Sequence, residues 1–405
     1  MRVTRAWKYR LYPSKSQEKL LNHHFYECKT LWNSLLEYTK KYYEETKKFP
    51  TRKQLYLLAK DTELYSQVAQ NVADRLVKSL WGLIARKRTG LKAGFPRFKS
   101  IERVKSLTYP QSGFKLTDRL ELSRIGSLSI RKHREINGEV KTLTVKKSAS
   151  GKWHAIFTTE YERTAFERNK MPKVGIDLGI ETYAYLSDGS RIENPRNLRL
   201  AEERLKLVQR RMSNKKKSSS NRARNRKEVA IAYEKLTNKR RDFLHKASRA
   251  LVENHSLIAM EALNNEGLAR GFLAKEVLDC SWAEFANMIS YKAEEAGCEV
   301  VLVDPAHTSQ RCSNCGLIRK KTLAERWHDC PCGASMHRDL NAAINILRRA
   351  IANSRERVWQ SESTSDSATG GTPGSKTCGE GTATNYKHNW QVSSMKQEAH
   401  AFKHG

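Results

Sequence analysis

The sequence contains no run of 18 or more apolar residues among its 405, so no membrane-spanning helix is expected. The stretch from Met1 to Lys8 has no apolar segment of the kind found in secretory signals, so a cytoplasmic location is expected. Acidic residues are scarce, since 43 Asp and Glu face 75 Lys and Arg, and the formal net charge is +32. Such an excess repels itself unless a polyanion neutralises it. Nucleic acid is therefore the expected partner.

Cysteine is also infrequent, and its distribution is uneven. Four of the eight cysteines lie between residues 312 and 332, and the others are isolated, namely Cys28, Cys280, Cys298 and Cys378. This pattern favours a metal site in a reducing cytoplasm over a set of disulfides. The clustered residues form two pairs, Cys312-x2-Cys315 and Cys330-x-Cys332, which can supply four thiolates to one structural, tetrahedral Zn²⁺. Because the second pair is shorter than usual, His328 or His337 stays an alternative ligand.

The N-terminal residues predict a strand followed by a long helix. Trp7, Tyr9 and Leu11 alternate with basic residues, as in a half-buried strand with a basic outer face. Ser14 and Gln17 then have the spacing of a capping box, which predicts that a helix begins there.

Residues 14–90 have the apolar periodicity of a small helical bundle. Its second clear helix has one apolar stripe, formed by Leu76, Val77, Leu80, Trp81 and Ile84. Short apolar stretches separated by turn residues follow between residues 106 and 159, and they predict a small barrel or sandwich. The N-terminal strand is expected to join this barrel, so that the helices form an insertion between barrel strands.

The second half of the chain alternates strands and helices, which predicts a mixed sheet covered by helices. The predicted strands are Val174–Gly179, Ser256–Glu261 and Val300–Val303, with a hairpin turn at Asp188-Gly189. Residues 198–250 predict two very basic helices. A charge run this dense is typical of segments that bind along the phosphate backbone of a nucleic acid. From residue 354 to residue 405 the chain has few large aliphatic residues, so a disordered tail is expected there.

Three acidic residues lie within or at the ends of predicted strands and helices, where an ionised carboxylate needs a partner. Asp177 interrupts an apolar strand, Glu261 ends another, and Asp339 opens a helix. If the three met at one edge of the sheet, they could hold Mg²⁺. Two such ions about 3.5–4 Å apart can bind both the attacking and the leaving oxygen of a phosphodiester. Each acid taken alone could instead be a helix cap or an ion-pair partner. Asp304 and Asp188 are weaker candidates, since a strand end and a turn explain them.

Several motifs together give the chain a family resemblance. They are Tyr9-Arg10-Leu11-Tyr12-Pro13, Gly94-Phe95-Pro96-Arg97-Phe98, Gly175-Ile176-Asp177-Leu178-Gly179, Met260-Glu261, Ser309-Gln310-Arg311-Cys312-Ser313-Asn314-Cys315-Gly316 and Arg338-Asp339-Leu340-Asn341-Ala342-Ala343. With these motifs, residues 1–350 resemble TnpB, the transposon-encoded RNA-guided nuclease family related to type V CRISPR effectors.

The resemblance implies an α+β multidomain fold in which a nuclease domain follows an N-terminal barrel. The implied domains are a wedge β-barrel (1–13 and 91–170), an inserted helical recognition bundle (14–90), a RuvC-type nuclease domain of RNase H-like fold (171–305 and 337–353) and a zinc-binding insertion (306–336). The residues that match the RuvC metal triad are Asp177, Glu261 and Asp339, and those that match the zinc ligands are Cys312, Cys315, Cys330 and Cys332. Met336-His337 departs from the His-Asp pair that family members often have before Arg-Asp, which puts any role for His337 in doubt.

The implied activity is Mg²⁺-dependent cleavage of double-stranded DNA, directed by a guide RNA from the transposon's own end. The protein would read only a short flanking motif, and base pairing would read the rest of the target. The chain is expected to act as a monomer in a prokaryotic cytoplasm. Two other functions stay open: an RNA-guided DNA-binding repressor that does not cut, and a transposase that moves DNA itself. Because all three acids are present, cleavage is favoured over the repressor.

Overall fold

The computed structural model describes residues 2–162, 171–322 and 325–365. The chain divides into two compact units. The first contains the described residues up to 162 together with Val208–Glu234, and the second contains the remaining described residues. The last residues of the expected barrel domain, 163–170, and most of the expected tail, including Cys378, lie outside the described residues. No described helix is long and apolar enough to cross a membrane.

The first unit is a nearly closed barrel with helices inserted after its first strand. Its sheet has the order β2-β6-β7-β1-β5-β4-β3, in which β1 pairs with both β5 and β7. The N-terminal strand thus joins the barrel, as the sequence predicts, and it lies in the middle of the strand order. At the two ends of that order, the rings of Tyr109 on β2 and Phe114 on β3 lie 6.4 Å apart. The elements are β1 (Arg2–Tyr12), α1 (Lys15–Thr46), α2 (Arg52–Leu58), α3 (Ser66–Arg88), β2 (Ser106–Tyr109), β3 (Phe114–Leu116), β4 (Arg119–Leu122), β5 (Gly126–Arg131), β6 (Glu139–Lys147) and β7 (Trp153–Glu162).

The predicted start of α1 is confirmed, and one predicted core position of α3 is wrong. The backbone N–H of Gln17 donates to the Ser14 hydroxyl, and the backbone N–H of Ser14 donates to the Gln17 side chain. On α3, Trp81 is 65% exposed. Leu80 and Leu83 fill the buried face instead, and position 81 points about 100° away from position 80.

The second unit is built on a five-stranded sheet of order β10-β9-β8-β11-β12. Its central strands β8, β11 and β12 are parallel, whereas β9 and β10 add to β8 as antiparallel strands. The middle of the basic pair α4 and α5, Val208–Glu234, groups with the first unit. The elements are β8 (Lys173–Leu178), β9 (Thr182–Leu186), β10 (Arg191–Glu193), α4 (Asn197–Ser213), α5 (Ser220–Asn254), β11 (Leu257–Glu261), α6 (Asn265–Leu268), α7 (Ala274–Cys280), α8 (Trp282–Ala296), β12 (Glu299–Val303), β13 (Trp327–Asp329), β14 (Ser335–His337) and α9 (Arg338–Ser365).

Helix α9 covers one face of this sheet, where Ile346 and Ala350 pack with apolar side chains of β11 and β12. The helix approaches β8 so closely that a Cβ on Gly175 would lie 2.2 Å from the carbonyl oxygen of Ala343. Only glycine allows this approach. Because α9 continues to Ser365, the expectation of a disordered chain from residue 354 is wrong for 354–365.

Candidate active site and metal centre

Two of the three candidate acids are brought together by parallel strand pairing. On β8 and β11, Gly175 pairs with Ala259 and Ile176 with Met260. The next position in this register sets Asp177 beside Glu261. Asp177 is also the cross-strand partner of Tyr185 on β9. The pairing of β8 and β11 therefore brings two carboxylates to one edge of the sheet.

The third acid, Asp339, reaches the same edge from the first turn of α9. Ala343, one helical turn later, contacts Gly175, which lies two residues before Asp177 on β8. Residues four apart share a face of a helix, and residues two apart share a face of a strand. The contact at Gly175 therefore brings Asp339 towards Asp177.

The electrostatics of Asp177 reflect this assembly. Burial raises the pKa of Asp177 well above its ordinary value, and the negative charges of Glu261 and Asp339 raise it further. The positive charge of Arg338 acts in the opposite direction. Asp177 thus interacts electrostatically with both other acids, and a bound cation would offset this repulsion.

Thr308 is a neighbour of Glu261 that sequence reasoning missed. Burial raises the pKa of Glu261, and a hydrogen bond from the Thr308 hydroxyl to Glu261 Oε1, 2.6 Å long, works against this rise. Arg349 also lowers this pKa and Asp304 raises it. Thr308 lies in the loop after β12, far from Glu261 in the sequence, so no local pattern links the two residues.

Asp339 is oriented by its two preceding residues. Arg338 Nε donates to Asp339 Oδ1 over 3.2 Å, and Arg338 Nη1 also reaches the carbonyl oxygen of Glu325 at 3.1 Å. The backbone N–H of Asp339 donates to His337 Nδ1 over 3.2 Å. His337 Nδ1 also lies 3.8 Å from Asp339 Oδ2.

The carboxylates and the cysteines differ in spacing. Among the residues that the structure describes, the one group of three or more metal-type side chains with all ligand atoms within 4.8 Å of one another is the cysteine quartet. The three acids are therefore more widely spaced than the ligands of a single small ion. Their oxygen ligands are nevertheless of the hard type that Mg²⁺ prefers.

The four cysteines form a candidate tetrahedral metal centre. Cys312 Sγ lies 3.7 Å from Cys332 Sγ, and Cys315 Sγ lies 3.5 Å from Cys330 Sγ. A tetrahedral site with Zn–S bonds of about 2.3 Å has sulfur–sulfur distances of about 3.8 Å, so the quartet fits such a site. The backbone N–H of Ala334 lowers the pKa of Cys332 to about 6, whereas burial and the neighbouring thiols raise the pKa of Cys330 to about 12. One thiol of the quartet thus ionises readily, and a metal would replace the protons of the others.

Two glycines in the left-handed region close the turns beneath the sulfurs. Gly316 has φ 79° and its N–H donates to the carbonyl of Cys312, whereas Gly333 has φ 86° and its N–H donates to the carbonyl of Cys330. The second turn thus closes one residue earlier than the first, which accommodates the short Cys330-x-Cys332 pair. The alternative ligands are not part of the cluster: His328 is buried and contacts Lys321 Nζ, and His337 stacks on Tyr185.

Two buried asparagines of α9 join the acid cluster to the cysteine loop. Asn341 Nδ2 donates to the carbonyl of Arg311, and Asn341 Oδ1 accepts from the N–H of Ser313, both over 2.8 Å. Asn345 Nδ2 donates to the carbonyl of Thr308 over 2.9 Å. The helix that carries Asp339 therefore also holds the loop that carries Thr308 and the first cysteine pair.

Three family models match parts of the chain. The model described as "Cas12f1-like, TNB domain" matches residues 282–346, which include the cysteine quartet. The model "Probable transposase" (OrfB_IS605) matches residues 156–271, and the model "Helix-turn-helix domain" (HTH_OrfB_IS605) matches residues 1–48. Over its described residues, this last segment is one strand and one long helix, β1 and α1.

Two curated relatives match most of the chain. A protein from Streptomyces pristinaespiralis, named "Putative RNA-guided DNA endonuclease", is 33% identical over 370 residues, which cover 87% of this chain and 90% of the relative. The protein InsQ of Escherichia coli K12, which has the same descriptive name, is 30% identical over 377 residues, covering 86% of this chain and 92% of the relative.

Among solved structures, the cryo-EM structure of a Cas12f1–sgRNA–target DNA complex is similar to this chain with a TM-score of 0.52. The match covers 85% of this chain and 98% of the Cas12f1 chain at 13% sequence identity. At this identity the similarity concerns the fold alone, and it agrees with an α+β architecture that combines a barrel with a second, sheet-based unit.

Proposed function

The chain belongs to the TnpB family of RNA-guided DNA endonucleases, and we propose that it cleaves double-stranded DNA next to a short flanking motif. The observation that carries the cleavage proposal is the convergence of Asp177, Glu261 and Asp339 at one sheet edge, where burial and then the two other acids raise the pKa of Asp177. Perturbed carboxylates of this kind are typical of catalytic sites. The order of the second sheet, with three parallel strands and an antiparallel hairpin, supports a RuvC-type nuclease domain.

In this proposal the three carboxylates hold two Mg²⁺ ions. Carboxylate oxygens are the hard ligands that Mg²⁺ prefers, and two-ion sites are common where phosphodiesters are cleaved. When bound, Mg²⁺ supplies Lewis-acid chemistry at the attacking water and at the leaving oxygen. Thr308 favours the ionised form of Glu261, and Arg338 orients Asp339 through the hydrogen bond to Oδ1. The residues of the chain thus supply a preorganised anionic site.

We also propose that the cysteine quartet binds one Zn²⁺ with a structural role. Four thiolate ligands fill a tetrahedral shell and leave no position for substrate. The hydrogen bonds from Asn341 to the quartet's loop support a role in holding that loop against α9. Metal analysis of the purified protein is expected to give one zinc per chain.

The decisive experiment compares Asp177→Ala with the wild type on a duplex that matches the guide RNA and carries the flanking motif. Asp177→Ala is expected to abolish Mg²⁺-dependent cleavage, while guide-RNA binding and zinc content are unchanged. Asp188→Ala is the matched control, because Asp188 is an exposed turn residue that accepts hydrogen bonds from Ser190. The control is expected to cut like the wild type. Cleavage by Asp177→Ala at the wild-type rate would refute the assignment of the triad.

Two outcomes of the same assay would favour other functions. Tight, guide-dependent DNA binding without a nick in either strand would indicate an RNA-guided repressor. A second candidate is a DNA-moving transposase, which the family model "Probable transposase" over residues 156–271 suggests. Joined transposon ends, produced by the purified protein without guide RNA, would support that function and contradict RNA-guided cleavage as the main activity.

A further inference from the structure

A row of three rings begins beside the acid cluster and ends at the protein surface. Tyr185 is the cross-strand partner of Asp177, and the His337 ring stacks on Tyr185 with centroids 4.6 Å apart and planes 14° apart. Trp327 is the cross-strand partner of His337 in the β13–β14 hairpin, with centroids 6.3 Å apart and planes 87° apart. We call Tyr185, His337 and Trp327 the aromatic row.

Hydrogen bonds hold His337 and Trp327 in place within the row. The N–H of Asp339 donates to His337 Nδ1, which ties the His337 ring to the start of α9. Trp327 Nε1 donates to the Ser335 hydroxyl over 2.8 Å, and that hydroxyl donates to Asp329 Oδ1 over 2.6 Å. Trp327 is nevertheless 54% exposed. A large ring that is fixed in orientation and still exposed loses little conformational entropy when a ligand stacks on it.

The surroundings of the row suit a nucleotide rather than an apolar peptide. Arg338 follows His337 in the chain and donates to Asp339 Oδ1. Arg326 precedes Trp327 in the chain, and its guanidinium lies 3.1 Å from Glu181. Other cations of the same insertion are Arg319, Lys320 and Lys321. A nucleic acid strand offers bases for the ring and phosphates for the cations, and base stacking on an aromatic side chain tolerates any sequence.

We propose that Trp327 is a stacking platform for one nucleobase of the DNA strand being cut, close to the scissile phosphate. The inference rests on the proposed function and specifies a contact with its substrate. The aromatic row connects Trp327 to the strand position of Asp177, so a base on Trp327 would locate the neighbouring phosphate relative to the acids. Trp327 is thus a positioning residue, because it does not touch the reacting atoms.

The test combines Trp327→Ala with single abasic sites placed one at a time around the mapped cut site of a guide-matched duplex. For the wild type, an abasic site at one position is expected to lower kcat/KM by ~5- to 150-fold, the range measured for single base-stacking contacts. Trp327→Ala is expected to lose a similar factor on the intact duplex and to be insensitive to the abasic site at that position. Trp327→Phe keeps a ring and is expected to restore both the rate and the sensitivity.

Controls separate stacking from folding. Leu317→Ala removes another exposed apolar side chain from the same insertion and is expected to cleave like the wild type. Unchanged zinc content and guide-RNA affinity would show that Trp327→Ala is folded. The stacking proposal is overturned if Trp327→Ala cleaves the intact duplex with the kcat/KM of the wild type. It is also overturned if the variant's kcat/KM falls below that of the wild type by the same factor at every abasic position. If the wild type does not cut the intact duplex at all, the proposed function is wrong, and the stacking proposal, which depends on it, is wrong as well.

Discussion

Asp177 carries a carboxyl group that burial favours in its neutral form and that the proposed metal binding would need in its ionised form. Its folded-state pKa is raised, first by burial and then by Glu261 and Asp339. A group with a raised folded pKa stabilises the protein at pH values below its ordinary pKa, and this contribution is lost as the pH rises through the folded pKa. The metal-free protein is therefore less stable at neutral pH than it would be with a neutral side chain at this position.

We predict that Asp177→Asn stabilises the metal-free protein while it destroys activity. The amide keeps the shape of the side chain and removes its charge. The midpoint temperature of thermal unfolding at pH 7 should therefore rise, by about 2–4 °C for each kcal/mol by which the free energy of unfolding increases. Thermal unfolding with and without Mg²⁺ measures this. Mg²⁺ should raise the midpoint of the wild type and leave that of Asp177→Asn unchanged. A lower midpoint for the variant in metal-free buffer would contradict the prediction.

Single residues of the site differ in how far the sequence predicts them. Asp177 is conspicuous because an acid inside an apolar strand is costly, and this local signal needs no knowledge of the fold. Thr308 and Trp327 carry no comparable signal. Their roles depend on contacts with Glu261 and with the ring next to Asp339, which form only after distant segments pack. Local patterns therefore predict the acids, and only the tertiary structure identifies the residues around them.

Helix α9 connects the parts of the second unit, and its position depends on one glycine. Gly175 lets the backbone of α9 approach β8, and Asn341 and Asn345 on the same helix hold the loop before the cysteines. The helix thus sets the distance between Asp339 and the strand that carries Asp177. A small shift of the helix would separate the acids.

We predict that Gly175→Ala is strongly disruptive. Its Cβ would lie 2.2 Å from the carbonyl oxygen of Ala343 and 2.8 Å from the backbone nitrogen of Leu347, and backbone atoms cannot move aside. A loss of about 1–3 kcal/mol in the free energy of unfolding is expected, together with a loss of cleavage. Denaturant titration and the duplex cleavage assay measure the two effects.

Gly82→Ala is the control for this variant, since a Cβ on Gly82 meets nothing within 4 Å. Gly82 lies inside α3, where alanine favours the helix by about 1 kcal/mol. The control should therefore be as stable as the wild type or more so. Equal effects of the two substitutions would mean that the close approach at Gly175 does not determine stability.

Most helices and strands are predictable from the sequence, because each has its own periodicity and its own start and stop signals. The six strands predicted between residues 106 and 159 and the capped start of α1 are examples. The β13–β14 hairpin was missed, since three-residue strands flanking a metal loop have too short a pattern to recognise. Trp81 has the helical spacing of the apolar stripe and is nevertheless exposed, whereas Leu80 and Leu83 are buried, so spacing alone does not distinguish the two cases.

The excess of positive charge concerns the protein as a whole, and part of it is concentrated in one segment. Lys215, Lys216 and Lys217 are exposed at the turn between α4 and α5. Like-charged neighbours repel one another until phosphates approach, so such a segment should contribute to the affinity for RNA.

We predict that changing these three lysines to glutamine weakens guide-RNA binding and lowers its salt dependence. The slope of log K against log salt concentration should fall by about two to three, close to one unit per lost phosphate contact. The control changes Lys132, Lys141 and Lys246, each of which lies beside a carboxylate. Both triple variants lose the same net charge. Equal slopes for the two would show that total charge, and not the α4–α5 turn, governs binding.

The contact between Gly175 and α9 also has a consequence for the time at which the protein becomes a nuclease during its synthesis. Translation proceeds at about 5–20 residues per second, and N-terminal segments fold first. The barrel and the basic helices can fold while the ribosome is still working, but Asp339 and Ala343 are among the last described residues to emerge. A nascent chain can therefore form the barrel and the basic helices before Asp339, the last of the three acids, has been synthesised. If the three acids are the cleavage site, a chain that ends before α9 cannot cut DNA, whatever else it has already folded.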